Sequence, residues 1–154
     1  MKLLKILFIT LLLALASSSL SAQELSKSSV EDMIEEMDKA ASNADVVSVA
    51  RYIHPNASIT MNVTINGQQQ VIKATKKQYV QLLTQGLQSA TSYDHEIENL
   101  EIIIKNGKAF ASMNVTETIE INGQSQTGKS QENLTIELIG GKLTITGIVA
   151  FTSL

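Results

Sequence analysis

Apolar residues recur at helical spacing at Val30, Met33, Ile34, Met37, Ala40, Ala41 and Ala44, and Ser28 followed by Glu31 forms a capping box for the helix they predict. Asp45 reads as a second N-cap, opening a short helix over 46–52. The segment His54-Pro55-Asn56 stops that helix, because the residue before proline is pushed out of helical backbone. The period then changes to two. Ile59, Met61, Val63 and Ile65 alternate with Ser58, Thr60, Asn62 and Thr64, Asn66-Gly67 is a hairpin signal, and a short strand over 68–72 returns. Thr75 with Gln78 is a second capping box, opening a helix to about residue 89 whose buried stripe is Tyr79 or Val80, Leu83 and Leu87. Four long strands follow, over 92–105, 108–121, 124–138 and 142–151, joined at Asn106-Gly107, Asn122-Gly123 and Gly140-Gly141. Turns this tight make neighbouring strands antiparallel, and long twisted strands curl. The expected architecture is α+β: a curled antiparallel sheet forming a cone closed by the N-terminal helices, with room for a cavity at its mouth.

The first residues carry a different signal. Lys2 and Lys5 precede an apolar run over 6–16, broken only by Thr10, and the small residues Ser17, Ser18, Ser19, Ser21 and Ala22 follow. Positive charge, apolar core and a small-residue cleavage zone are the order of a secretory signal peptide, and the run falls short of the roughly 20 residues that span a bilayer. The chain therefore divides into a signal peptide over 1–22 and one domain over 23–154. Cleavage is expected after Ala22, with Ala16 and Ser21 as alternatives, and an uncleaved signal anchor is the other reading of the segment. The mature protein is expected in the periplasm or secreted, with no membrane attachment after cleavage.

Composition narrows the chemistry. The chain has 12 Lys and Arg against 15 Asp and Glu, for a net charge of −3. Loss of Lys2 and Lys5 makes the mature protein more acidic still, which does not attract nucleic acid. With no Cys and two His, the chain has no disulfide, no thiol nucleophile and no expected metal site, and nothing calls for a cofactor. Sequons at Asn56, Asn62, Asn114 and Asn133 lie mostly in Thr-rich strand patterns and read as structural.

Polar residues on the apolar side of a strand are the informative ones. Ala109, Ala111, Met113, Val115, Ile119 and Ile121 share one face of their strand, and Glu117 falls in the same register. Leu134, Ile136 and Leu138 define the inner face of the next, with Glu132 on it. In the strand over 92–105 the parity of Tyr93, His95 and Ile97 differs from that of Leu100, Ile102 and Ile104, which implies a bulge near Glu98–Asn99 that turns His95 inward. Pairing Lys105 with Lys108 sets Ile104 against Ala109 and Leu100 against Met113. Beyond the bulge it sets Ile97 against Val115, His95 against Glu117 and Tyr93 against Ile119. His95 and Glu117 then form a candidate catalytic dyad, the carboxylate orienting an imidazole that acts as general base or acid. A ligand-contacting pair and a structural pair at the rim are the other two readings. Glu132 falls opposite Met113, too far from Glu117 for a glycosidase-like carboxylate pair. Tyr52, Tyr79, Tyr93, Met113 and Glu132 are candidate ligand-binding residues. Glu31, Asp32, Glu35, Glu36 and Asp38 read as a solvated outer helix face, and His54 as a solvated loop residue.

This order of elements resembles the nuclear transport factor 2-like superfamily, which includes SnoaL-like domains and ketosteroid isomerase, in an exported, bacterial-type form. The resemblance covers nearly the whole mature chain and rests on "RYIHPNASITMNV", a hairpin, a helix opening "TKKQYVQLL", "HEIENLEIIIKNGKAFASMNV" and the closing "ELIGGKLTITGIVAF". Leu143 stands where family members usually carry Trp or Phe. None of these motifs is catalytic, and the superfamily holds isomerases, dehydratases, hydrolases and non-enzymatic modules, so the fold alone does not fix the function. The resemblance implies a homodimer through the outer face of the strands, which is rich in Thr, Ser, Asn and Gln. The expected function is an exported module with an apolar pocket that binds a small apolar ligand or a partner. The alternatives are a cofactor-free acid–base isomerase, dehydratase or hydrolase, and an immunity-type partner protein.

Overall fold

The computed structural model describes residues 24–153 apart from 66 and 89, so the predicted signal peptide lies outside the described residues. Helix α1 spans Lys27–Ser42 and is capped by Ser26, not by Ser28. The Ser26 hydroxyl accepts from the Ser29 amide at 3.1 Å and the Ser29 hydroxyl accepts from the Ser26 amide at 3.0 Å. Two serines thus bond reciprocally in the manner of the expected Ser28–Glu31 box, two residues earlier and on the Ser26 and Ser29 amides. The helix ends before Ala44, which adopts a left-handed φ of 54° in the connection. Helix α2, Val46–Arg51, opens on Asp45, whose carboxylate accepts from the Ser48 amide at 3.0 Å and the Ser48 hydroxyl at 2.6 Å.

Strand β1, Ile53–Ile65, begins before Pro55 and not after it. Its ladder with the last strand is irregular between Ile53 and Ser58, so a proline without an N–H is accommodated there. Strand β2, Gln68–Ala74, pairs back onto β1. Helix α3, Lys76–Gln88, starts at the expected cap: the Gln78 side chain accepts from the Thr75 amide at 2.9 Å and the Thr75 hydroxyl from the Gln78 amide at 3.3 Å. Then come β3 (Ser92–Lys105), β4 (Lys108–Ile121), β5 (Gln124–Ile139) and β6 (Lys142–Ser153). Both central residues of the three connecting turns have positive φ: Asn106 and Gly107, Asn122 and Gly123, Gly140 and Gly141. That is the turn whose twist matches the strands it joins, and Asn and Gly are the residues that tolerate it.

The six strands form one sheet in the order β2-β1-β6-β5-β4-β3. All neighbours are antiparallel except β1 and β6, which run parallel. The return to β6 is possible because α3 and the meander separate the two strands in sequence. Helix α1 packs on β3 and α3 on β1. Val30, Met33 and Ile34 of α1 meet Ile59, Ile136 and Ile145 of the sheet in the core. Leu143, at the position noted for its departure from the family, is buried at 4% exposure. The outer face carries, besides its Thr, Ser, Asn and Gln, exposed apolar side chains at Ile103, Phe110, Val149 and Phe151. Among the described residues no helix is long and apolar enough to cross a membrane.

The two faces respond differently to truncation. Ile136→Ala, at a fully buried position, is expected to lower the unfolding free energy in urea by about 2–5 kcal/mol. Ile103→Ala, on the outer face at 63% exposure in the single chain, is expected to change it by less than about 0.5 kcal/mol at protein concentrations where the chain is monomeric. Equal losses at both positions would mean that the outer face is as packed as the inner one.

Candidate functional site

The inner face of the sheet turns from apolar to polar along each strand. On β4, Ala109, Ala111, Met113 and Val115 are buried, and the next residue of that parity is Glu117. On β5 the buried pair Leu134 and Ile136 is preceded by Glu132. On β3 the ladder shifts between Glu98 and Glu101, and Asn99 adopts a left-handed φ of 55°, a conformation Asn tolerates better than most residues. The bulge stands where the parity switch puts it and brings Tyr93, His95 and Ile97 inward.

The register follows with one exception. Ile104 faces Ala109, Ile97 faces Val115, His95 faces Glu117, Tyr93 faces Ile119, and Glu132 faces Met113. The expected pairing of Leu100 with Met113 is not made, because the bulge occupies Asn99 and Leu100 and the ladder resumes with Glu101 opposite Ser112.

Opposed backbones did not make a dyad. The His95 imidazole reaches α1, where its Nδ1 lies 2.8 Å from Oδ1 of Asp38. Glu117 instead accepts a 2.6 Å hydrogen bond from the Tyr93 hydroxyl. The Tyr93 and His95 rings lie beside each other, centroids 6.2 Å apart. The orienting carboxylate for His95 is therefore Asp38, and the assignment of Asp38 to a solvated face is corrected. Val30, Ile34 and Asp38 stand at i, i+4 and i+8, one stripe of the helix, and that spacing is the signal for its inward direction. The Ser42 hydroxyl of the same helix donates to the His95 carbonyl at 3.4 Å, adding a second tie between α1 and β3.

These groups line one cavity of about 100 Å³ between the helices and the sheet. Its walls are mostly apolar, with Ile34, Met37, Leu83, Leu87, Met113 and Leu134 among them, and its polar lining is Asp38, Tyr79, Tyr93, His95, Glu117 and Glu132. Tyr52 is not part of it. The Tyr52 hydroxyl donates to Glu36 on the helix surface, and that bond, with burial second, pushes its pKa up to about 12. Its ligand-binding assignment is corrected: the turn after α2 aims it outward, across to α1.

The cavity holds its acids against desolvation. Burial first, and the charge of Glu117 second, push the Glu132 carboxyl up to about 6, opposed by the field of His95 and a hydrogen bond from Ser130. Burial is also the leading cause that raises the Tyr79 and Tyr93 phenols, followed for Tyr79 by the charges of Glu132 and Glu117 and for Tyr93 by its bond to Glu117. Both phenols are therefore hydrogen-bond donors at neutral pH. Among the described residues, neither Glu117 nor Glu132 has a salt bridge, and no Lys or Arg lines the cavity.

No protein-family model and no curated protein matches the sequence. The architecture is nevertheless widely shared. A nuclear transport factor 2-like protein of Cytophaga hutchinsonii superposes with a TM-score of 0.64 over 83% of this chain and 98% of its own, at 14% identity. A candidate scytalone dehydratase of Novosphingobium aromaticivorans superposes at 0.64 over 81% and 82%, at 14% identity. The beta subunit of a candidate aromatic-ring-hydroxylating dioxygenase from the same organism reaches 0.65 over 83% and 89%, at 10% identity. The chain has the nuclear transport factor 2-like fold.

The raised pKa of Glu132 has a consequence for stability. A carboxyl that holds its proton more tightly when folded gives the native state the larger number of bound protons between pH 4.5 and about 6. Stability then falls as pH rises through that window and stays lower above it. Glu132→Gln lacks this penalty and is expected to be more stable than the parent at pH 7.5 by on the order of 1–2 kcal/mol, with the difference gone below pH 4.5. Urea denaturation of both proteins at the two pH values checks it. A pH-independent difference would mean that Glu132 titrates normally.

Proposed function

We propose that the domain binds a small, largely apolar molecule inside the cone and anchors it with the tyrosine and carboxylate groups at the wide end. The observation that supports this reading most is a cavity with apolar walls lined also by partly buried polar groups from α1, α3, β3, β4 and β5. A packed core has no use for such groups, whereas a ligand site needs a few of them to orient what it holds. Structural neighbours such as the candidate scytalone dehydratase are compatible with a small organic molecule in a domain of this shape.

A second reading is a cofactor-free acid–base enzyme, and the 2.8 Å contact between Asp38 and His95 favours it. A carboxylate on Nδ1 fixes the tautomer and leaves the other ring nitrogen to take or give a proton. The pair that would carry this chemistry is Asp38–His95, in place of His95–Glu117. The readings separate on Asp38→Asn: an enzyme keeps binding and loses turnover, whereas a binding module leaves its ligand unconsumed with or without Asp38.

Export and self-association complete the proposal. The N-terminal charge-apolar-small pattern supports export to the periplasm or medium, and the exposed Ile103, Phe110, Val149 and Phe151 support a homodimer through the outer sheet face.

Titration with 1-butanol and phenol, followed by NMR, is expected to shift the Met113 methyl and the Tyr79 and Tyr93 ring signals. Leu83→Trp, which fills the cavity from the partly exposed face of α3, is expected to abolish the shifts while the protein stays folded by circular dichroism. Binding unaffected by the tryptophan would place the site elsewhere. Protein recovered from the exported fraction is expected to begin between residues 17 and 23 and to run as a dimer in light scattering with size-exclusion chromatography. A monomer at high concentration would remove the dimer, and an intact Met1 would remove the cleaved signal.

A further inference from the structure

The sheet is open, and its two edge strands, β3 and β2, differ in how they are guarded. The β3 edge is blunted three ways. Asp94, Glu96, Glu98 and Glu101 are exposed along it, the bulge at Asn99 interrupts its ladder, and Ser42 of α1 donates to the His95 carbonyl. Charge, a bulge and a covering helix are devices that keep a strand edge from pairing with another chain. The β2 edge carries a single charge, Lys73, near its end. Its ladder with β1 runs from Gln68 to Ala74 without a shift, and Val71 and Ile72 are exposed. Among the described residues no strand pairs on its far side, so the backbone donors and acceptors there are open to another chain.

A hollow of about 260 Å³ lies beside this edge, because α3 packs mainly on β1. Ile72 and Lys73 form one wall, and Gln81, Leu82 and Gln85 of α3 form the other. Leu82 is 48% exposed and Ile72 40%. A strand added to β2 sends every second side chain to this face of the sheet, where Ile72 and Leu82 offer apolar contact. Charge decides which strand fits. Residues 46–93 hold Arg51, Lys73, Lys76 and Lys77 and none of the chain's 15 acidic residues. The Lys76 ammonium donates to the Ile53 carbonyl at 2.7 Å, whereas Lys73 and Lys77 are exposed on either side of Thr75. The β2 strand of a second copy would bring the same lysines and no acid, so charge favours an acidic partner over self-pairing.

We propose that the β2 edge binds an extended acidic segment of a partner protein by strand addition, backbone to backbone along residues 68–74, with apolar side chains against Ile72 and Leu82 and carboxylates toward Lys73 and Lys77. The main-chain ladder supplies affinity for any extended chain, and the lysines select the acidic ones. This surface is separate from the cone, so its occupancy does not depend on whether the cavity takes a ligand.

The experiment compares three end-capped peptides in NMR titrations of the mature protein at pH 7.5: alternating glutamate and valine, alternating lysine and valine, and the glutamate peptide with proline at its centre. The glutamate peptide is expected to shift the amide signals of residues 68–74 and the methyls of Val71, Ile72 and Leu82, and to slow hydrogen exchange of the β2 amides. The lysine peptide is expected to bind at least about tenfold more weakly, and the proline peptide likewise, since proline removes a ladder donor. Added salt is expected to weaken the glutamate peptide and not to weaken the lysine peptide. Lys73→Glu combined with Lys77→Glu is expected to reverse the charge preference, and Leu82→Gln, on the exposed face of α3, to lower affinity for both charged peptides, with each variant folded by circular dichroism. Equal binding of the glutamate and lysine peptides would overturn the acidic partner. Shifts confined to β3 or to the cone, or binding of none of the peptides, would overturn the strand addition. Dilution-dependent shifts of the β2 amides without any peptide would show a second copy on this edge and overturn the foreign segment.

Discussion

Desolvation of acidic side chains on the inner face of a curled sheet governs the arrangement of the site. Strand alternation sends every second residue of β4 and β5 into the cone, so Glu117 and Glu132 have nowhere else to point once Val115 and Leu134 are buried beside them. An ionised carboxylate in an apolar space is stable only if hydrogen bonds or charges compensate for lost water. The surrounding phenols and hydroxyls answer that need in part. Tyr93 donates to Glu117, Ser130 to Glu132, and His95 contributes a field that favours the ionised form of Glu132. The compensation is incomplete, which is why the Glu132 carboxyl is pushed up.

The same constraint explains how α1 is held. A helix covering the mouth of the cone could rest on apolar contacts alone, and its first two turns do so through Val30, Met33 and Ile34. Its last turns reach the polar zone, and there contact changes character: Asp38 meets His95 and Ser42 meets the His95 backbone. The β3 bulge makes this possible. Without the extra residue at Asn99, Tyr93 and His95 would face solvent and α1 would have no polar partner on the sheet.

The elements were legible in the sequence because period, caps and turns agreed with one another. The Asp45 and Thr75 caps, the Asn-Gly turns and the parity switch on β3 each point to one structure, and the structure has them. Legibility failed where a local signal had a competitor. Ser28–Glu31 satisfies the capping pattern, yet Ser26–Ser29 caps the helix with two side chains short enough to bond reciprocally. Pro55 signals a break, yet an irregular ladder admits it to a strand. The parallel pairing of β1 with β6 leaves no local trace, since nothing in either strand names its partner.

The site was less legible than the fold for a related reason. Register fixes which residues face each other across a ladder, but not which side-chain tips meet. His95 and Glu117 are opposed as backbones, yet an imidazole is long enough to choose between a neighbouring strand and the helix above it. The choice went to Asp38, a residue whose companions Glu31, Asp32, Glu35 and Glu36 are exposed. Charge content alone marked that run as a solvated face, while its position on the Val30–Ile34 stripe marked Asp38 as inward. Where the two conflict, periodicity is the stronger guide, because burial of a helix face is set by the whole stripe and a single acid on it is retained only where the opposite wall supplies a partner. Here the wall supplies His95. Glu117 and Glu132 meet no imidazole, and hydroxyl donors serve them in its place, Tyr93 for Glu117 and Ser130 for Glu132.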